Sequence, residues 1–379
     1  MEKVDLIATT TFGLESVVKN EVKNLGYEIN SVSNGKVEYS TDLKGICRSN
    51  LWLRSAERVL LKIGEFEAET FDELYELTKK LPWNRWLPED AEFPVQGKSI
   101  KSTLHSVPTC QSIVKKAVVD NLKQKYNKSW FDEDGPLFQI QVSLLKDKAT
   151  LTIDTSGQGL HKRGYREIGT EAPLQETIAA GMIYLSKWNS DRILIDPFCG
   201  SGTIPIEAAL MGKNIAPGLL REFDAERWPV YSNNRQWTEA REEARDKIKD
   251  DLEPRLIMGT DKDPEVVDIA LHHAEKAQVD EIVHLQKKSF SDFETSRKYG
   301  YIITNPPYGH RLDDDEVEKL YKKMGEKFLP LETWSFYILT SHQNFENLFG
   351  EKASKRRKLY NGGIECHYYQ YYGPWPPNS

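Results

Sequence analysis

Two short segments of this chain hold residue types at spacings that could do chemistry. One runs from Asp196 through Pro197, Phe198, Cys199, Gly200, Ser201 and Gly202 to Thr203; the other is Asn305, Pro306, Pro307, Tyr308 and Gly309. In the first, Gly200 and Gly202 permit a tight turn and let a ligand approach the backbone closely. Residues 203–210 read as a helix, and a helix N-terminus offers unpaired N–H groups to an anion. Asp196, just before the turn, could accept a hydrogen bond from a ligand's amino group. In the second segment two prolines fix φ and remove two backbone donors. Residues 305–307 therefore present carbonyl oxygens without competing N–H groups, and Asn305 Oδ1 with the Pro306 carbonyl could accept both hydrogens of an –NH₂ group. Tyr308 offers a flat face on which a base could stack.

A loop suited to a nucleoside-like cofactor and a loop suited to a planar amine together imply methyl transfer from S-adenosylmethionine to the exocyclic amine of a base. Two other nucleotide chemistries fit less well. No Lys follows Gly202, as a P-loop would require. A nicotinamide site wants an acid about 20 residues after its glycines, whereas the next candidate here is Asp261. Asp261 suits the two hydroxyls of a ribose; the competing role is a helix N-cap, which Asp263 fits better because Pro264 follows it. Cys199 reads as a small filler rather than a reactive thiol.

Each segment must be positioned by the apolar run before it. Residues 192–195 and 301–304 read as buried strands, with further strands at 255–259 and around Leu285. Ligands collect at the carboxyl ends of parallel strands in open α/β sheets. From residue 173 onward strands and helices alternate, the pattern of a parallel sheet with helices on both faces. An insertion over residues 212–251, containing Trp228 and Trp237, separates the first two strands. The chain closes on strands at 357–361 and 364–372 joined by Gly362 and Gly363, a tight hairpin signal. Upstream, residues 1–65 read as a small α/β unit, with strands at 4–9 and 59–63 and helices at 14–25 and 43–53. Residues 66–156 read as a second unit, with helices at 71–80 and 111–125 and antiparallel strands at 138–145 and 150–155. A connector spans 157–172.

Bulk properties bound the partners. A chain of 379 residues holds two or three domains. No apolar run approaches the ~18 residues of a membrane span, and the N-terminus lacks the features of a secretory signal. Cys47, Cys110, Cys199 and Cys366 show no metal-ligand spacing, which argues against zinc, any other metal, or a disulfide framework. A reducing cytoplasm is the expected compartment. The net charge of −7 argues against a nucleic-acid partner until its distribution is considered. Residues 98–130, which include Lys115 and Lys116, carry seven Lys and one Asp; residues 352–358 carry five cations; His161, Lys162, Arg163 and Arg166 form a third cluster. Such patches neutralise phosphates whatever the total charge, although solvated helix faces look the same.

These residues resemble the amino-methyltransferase branch of class I S-adenosylmethionine-dependent enzymes, in which Asn-Pro-Pro-Tyr marks methylation of adenine N6 or guanine N2. Residues 154–167 resemble the exit from a THUMP RNA-binding domain, and residues 172–180 resemble the helix over the cofactor's methionine end. Residues 8–15 and 358–366 match the same group, so the likeness covers nearly the whole chain. It is nearest to bacterial 23S ribosomal RNA guanine-N2-methyltransferases and their shorter Gram-positive relatives, often labelled N6-adenine-specific DNA methylases. The resemblance implies an α/β fold with a Rossmann-like class I methyltransferase sheet and terminal antiparallel hairpin over residues 173–379, preceded by ferredoxin-like (1–65) and THUMP (66–156) α+β domains.

Cofactor contacts would come from Pro173, Asp196, Phe198, Gly200, Gly202, Thr203, Asp261, Asp263 and Asn305. The family's adenine-binding Asp is replaced here by Ser289, with Asp292 nearby, and either could serve. Asn305, Pro306, Pro307 and Tyr308 would hold the base, and Lys115, Lys116, His161, Lys162, Arg163 and Arg166 the RNA. The expected substrate is a guanosine of large-subunit ribosomal RNA, free or in a pre-ribosomal particle. Two other readings stay open: an N6-adenine methyltransferase acting on DNA, and a non-catalytic RNA-binding assembly factor.

Overall fold

The structure is a computed structural model that describes residues 3–169, 174–250, 252–307 and 314–377. Pro173 and Tyr308, both expected at the site, lie outside the described residues. Among the described residues the strands form two sheets, each seven-stranded.

Period-two alternation in the N-terminal half puts Leu6, Ala8, Val37, Tyr39, Val59, Leu61, Leu151 and Ile153 into one buried core, as expected where one face of a sheet is covered. The strands are β1 (Val4–Thr9), β2 (Glu28–Ser33), β3 (Lys36–Thr41), β4 (Arg58–Glu67), β5 (Val95–Ile100), β6 (Ile140–Leu145) and β7 (Lys148–Asp154). Their order is β2-β3-β1-β4-β7-β6-β5. The sheet is antiparallel except where β5 runs parallel to β6. Helices α1 (Glu15–Asn24), α2 (Leu43–Trp52), α3 (Phe71–Lys79) and α4 (Val107–Tyr126) connect these strands. The division expected at residue 65 falls inside β4, which pairs with β1 on one side and β7 on the other. Strand β5 was not among the expected strands. Gly97 and Lys98 weaken its local pattern, and pairing with β6 supplies the order that propensity does not.

The C-terminal half follows with α5 (Glu176–Ser186), β8 (Leu194–Asp196), α6 (Thr203–Gly212), α7 (Arg235–Asp246), β9 (Ile257–Asp261), α8 (Pro264–Lys276), β10 (Val283–Lys287), β11 (Tyr301–Thr304), α9 (Asp314–Phe328), β12 (Ser335–Thr340), α10 (Phe345–Phe349), β13 (Lys355–Asn361) and β14 (Ile364–Tyr371). The order is β10-β9-β8-β11-β12-β14-β13. The first five strands in that order are parallel, and β14 and β13 add the expected antiparallel hairpin. Separate apolar cores fill the two faces, so Ile302 and Ile303, neighbours in sequence, are both fully buried, as in a strand covered on both sides. Strand β8 begins later than the apolar run predicts because the Arg192 backbone is bonded outside the sheet, its amide donating to the Asn189 carbonyl at 3.3 Å and its carbonyl accepting from Trp188 Nε1 at 2.7 Å. Arg192 Nε donates to the Tyr299 carbonyl and its guanidinium lies 4.3 Å from the centre of the Tyr301 ring.

The insertion between β8 and β9 belongs by packing to the other half. Phe223, Trp228, Tyr231 and Trp237 join the N-terminal core. Trp228 stacks on Phe138 at 4.6 Å and donates to the Leu137 carbonyl; Tyr231 donates to the Leu43 carbonyl. Arg48 of α2 pairs with Glu243 of α7 at 3.1 Å. Each such aromatic removes a large apolar area from water, so the insertion clamps the halves together. A buried polar seam adds to this clamp. Arg54 donates across to the Ile215 carbonyl at 2.7 Å. It is held by Glu21, which accepts from the Arg54 and Ser55 amides at 2.9 and 3.1 Å and whose carboxyl burial pushes up to about 7. Arg163 donates to Glu207 of α6 at 3.3 Å and to the Leu160 carbonyl at 2.7 Å. Among the described residues no helix is long and apolar enough to cross a membrane.

Candidate active site

From β8 the chain steps outward to β9 and β10, then returns to β11 on the other side of β8. That reversal opens a crevice between the carboxyl ends of β8 and β11, the place where such sheets bind ligands. The two motif loops leave these adjacent strands. Thr304, the last residue of β11, ties them: its Oγ1 donates to Asp196 Oδ1 at 2.6 Å. Sequence reading missed this role. The available signal was a hydroxyl ending an apolar run directly before Asn305.

Asp196 is 2% exposed and also accepts from the Phe198 amide at 3.1 Å. Burial pushes its carboxyl up to about 7 and the neighbouring Asp261 charge adds to the rise, against the two hydrogen bonds, which favour the ionised form. Gly200 has φ +50, and a Cβ there would meet nothing within 4 Å. The loop is therefore open above Gly200, leaving room for a ligand. Gly202, φ +83, faces α8 instead, where an added Cβ would sit 3.0 Å from Ala270. Cys199 bridges to β9 through its amide, which donates to the Thr260 carbonyl at 2.9 Å. Its thiol is buried and held well above the ordinary range by that burial, consistent with a filler and unsuited to a nucleophile.

Asp261, at the end of β9, accepts from the Gly200 amide at 3.1 Å and from the Asp263 amide at 3.1 Å. Two backbone donors thus aim this partly exposed carboxylate at the glycine turn. Asp263 takes the capping role its place before Pro264 predicts: one carboxylate oxygen accepts from the Glu265 amide at 2.9 Å and caps α8. Ser289 caps the short turn Phe290–Asp292 by accepting from the Ser291 amide at 3.2 Å, and Asp292 is exposed. Phe198 packs on Phe290 at 4.7 Å, so the glycine loop and the loop after β10 share an apolar wall. Phe290 went unnoticed in the sequence, being one aromatic among many.

Thr203 opens α6 and its hydroxyl accepts from Arg166. Arg166 also pairs with Glu176 of α5 at 3.3 Å. Arg166 was expected on an RNA surface; it stands behind the glycine loop and joins the N-termini of α5 and α6. Arg163 is a second correction, since it is 2% exposed and paired with Glu207. Lys115 is half-buried between Glu133 at 2.6 Å and the Phe93 ring at 3.5 Å. His161 is partly buried, 3.4 Å from Glu57. Only Lys116 and Lys162 of the six expected RNA contacts are exposed. Proximity in sequence placed these cations together; folding sends them to different surroundings.

At the second loop, Asn305 Oδ1 is buried and has no hydrogen-bond partner among the described residues. Pro306 is buried. The loop is held from behind by Tyr321 of α9, whose hydroxyl donates to the Pro307 carbonyl at 3.4 Å and bonds Thr340 of β12 at 2.8 Å. The crevice thus combines a glycine turn with open space above it, two carboxylates fixed by backbone donors, an aromatic wall and one unmet acceptor.

Comparisons with known proteins agree with this geometry. An RMKL-like methyltransferase domain matches residues 163–370, an RlmL ferredoxin-like domain residues 5–60, and a THUMP domain residues 68–154. The chain is 49% identical to YpsC of Bacillus subtilis strain 168, provisionally described as an RNA methyltransferase, over 100% of this chain and 98% of that protein. It is 30% identical to the ribosomal RNA large subunit methyltransferase K/L of Marinomonas sp. strain MWYL1, over 96% of this chain and 52% of that protein. The chain therefore spans about half the length of the K/L relatives it matches. The crystal structure of SMU.472, provisionally described as a methyltransferase and complexed with SAH, superposes with a TM-score of 0.93 at 44% identity, covering 100% of both chains.

Proposed function

This chain belongs to the RMKL-like methyltransferase family, and from that premise we propose that it methylates the exocyclic N2 amine of a guanosine in large-subunit ribosomal RNA. The observation that carries this reading is Asn305 Oδ1, a buried acceptor without a partner at the end of β11. Leaving such a group unmet costs about 1–3 kcal/mol, and a substrate N–H restores what is missing. The Pro306 carbonyl stands next to it, on a residue with no N–H of its own. Two acceptors on one –NH₂ hold both hydrogens, keep the nitrogen in a fixed direction and draw electron density onto it.

The residues present fit S-adenosylmethionine, which when bound supplies an electrophilic methyl group on sulfur. Gly200 leaves the space over the turn open, Asp261 offers carboxylate oxygens to a ribose diol, and Phe198 with Phe290 offers an apolar face to a flat ring. Asp196 lies between the two loops and, when ionised, accepts from an amino group. In the overall reaction an N–C bond forms, the S–C bond breaks, and the amine gives up one proton. The chain contributes mainly position and exclusion of water. Tyr308 would stack on the flipped base. An RNA substrate is supported by the THUMP match and by the names of the K/L relatives.

The test is transfer of labelled methyl groups to unmodified large-subunit ribosomal RNA and to genomic DNA in parallel, with digestion to nucleosides and Asn305→Ala as control. N2-methylguanosine from RNA, absent with the variant, is the expected result. N6-methyladenine from DNA would replace this reading, because the acceptor pair suits both amines. Absence of transfer together with absence of cofactor binding would favour a binding scaffold.

A further inference from the structure

A cavity of about 370 Å³ lies between the connector and the insertion. Arg166 and Glu176, which also hold the start of α6, form part of its wall, so the cavity sits beside the glycine loop. Five cations line it against three carboxylates. Most of that charge is spoken for: Arg163 pairs with Glu207, Arg166 with Glu176, and Arg227 with Glu222 at 3.3 Å. Lys162 and Arg221 remain; the carboxylates that act on Arg221 are Asp224 and Asp154, and Asp154 is itself paired with Arg58. Lys162 is exposed and has no carboxylate partner among the described residues. Arg221 donates to four carbonyl oxygens, those of Ser156, Gln158, Gly159 and Lys162, at 2.7–3.0 Å. These neutral acceptors hold the guanidinium in place without cancelling its charge. Desolvation, with Arg163 and Arg58 close by, pushes its pKa down to about 10, so it stays charged at neutral pH. Arg166 Nε, on the same wall, is buried and has no partner among the described residues.

A partly enclosed space with excess fixed positive charge suits a compact anion with several oxygens. We propose that this cavity binds a backbone phosphate of the RNA strand that carries the target base. The inference rests on the RNA-substrate reading above. Its physical reason is leverage: extracting a base from a stack requires a grip on the adjoining backbone, and phosphate contacts fix the register of a strand. The cavity lies one side chain, Arg166, away from Thr203 of the cofactor loop.

The experiment measures affinity for a large-subunit ribosomal RNA fragment across a salt series, using the full chain, Lys162→Glu and Arg227→Ala. Lys162→Glu should weaken RNA binding by about tenfold at low salt and reduce the slope of log K against log salt by about 0.7–1, with cofactor affinity by calorimetry unchanged. Arg227→Ala should show a smaller change of the same sign. An unchanged RNA slope in both variants would overturn the proposal. So would loss of cofactor affinity, which would assign the cavity to the cofactor. Calorimetry with inorganic phosphate separates a free anion from a strand: phosphate binding lost in Lys162→Glu, with RNA binding intact, would also overturn it. A wild-type chain that binds no RNA would sink the substrate reading itself, a distinguishable failure.

Discussion

The glycine loop after β8 and the proline loop after β11 leave neighbouring strands yet are finished to different degrees. In the first, the Cys199 and Gly200 amides, the Asp196 carboxylate and the Thr203 hydroxyl all have partners within the protein. In the second, Asn305 Oδ1 is buried without one, the prolines have no donors, and support comes from behind through Tyr321. Under the proposed function, the first loop is a prepared seat for the cofactor and the second holds an acceptor that a substrate amine would satisfy. The cost of that unmet group is returned on binding, which favours molecules that bring an N–H to that point over those that do not.

Three measurements would break or sharpen this contrast. The largest effect belongs to Asn305→Ala, expected to lower kcat by about 10²–10³, the order seen when one positioned hydrogen-bonding group is removed from an active site. Cofactor affinity by calorimetry should be unchanged; if it falls as well, the loops do not divide the work.

Asp196→Asn should act on the opposite side, weakening cofactor binding by roughly 10–100-fold, the scale of a lost charge-assisted hydrogen bond. Because burial lifts the Asp196 carboxyl from 3.8 to about 7, wild-type cofactor affinity should fall as pH drops through 7, while the Asn variant stays flat. The stability effect has the opposite sense. The folded state holds that proton more tightly than the unfolded state, so wild-type stability relative to the variant should decline as pH rises from about 4 to 7 and then level off. Urea unfolding across that range in the absence of cofactor is the check.

The smallest effect is that of Thr304→Val, which removes the bond between the loops. A fall in kcat of about 5–10-fold is expected, the size of one ordinary hydrogen bond. Equal activity would mean that strand pairing alone sets the spacing of the loops.

Much of the candidate site was legible because its chemistry is local. The turn at Gly200 and Gly202 needs only its own residues and the strand before it, and Asn305 with its prolines announces free carbonyls without any tertiary information. The closing hairpin was legible for the same reason, since Gly362 and Gly363 divide two strand-like runs. Charges were less legible. Arg163 and Arg166 read as part of a basic patch, yet one is buried against Glu207 and the other braces the glycine loop. The paired carboxylates lie too far along the chain to be seen in a local window. Asp263 showed the converse: the local capping signal before Pro264 needed no tertiary information, and its carboxylate caps α8.

By itself the sequence determined the strand-and-turn grammar of the C-terminal half, the two candidate loops and the family to which they point. Those features depend on φ preferences, hydrophobic period and residues within a few positions of each other. Only the tertiary structure decided that β4 continues across the expected division at residue 65, that the insertion's aromatics fill the N-terminal core, and that Thr304 joins Asp196. It also decided which cations keep their charge for a ligand. Burial and pairing set those outcomes, and both are settled by partners that come together only when distant parts of the chain pack.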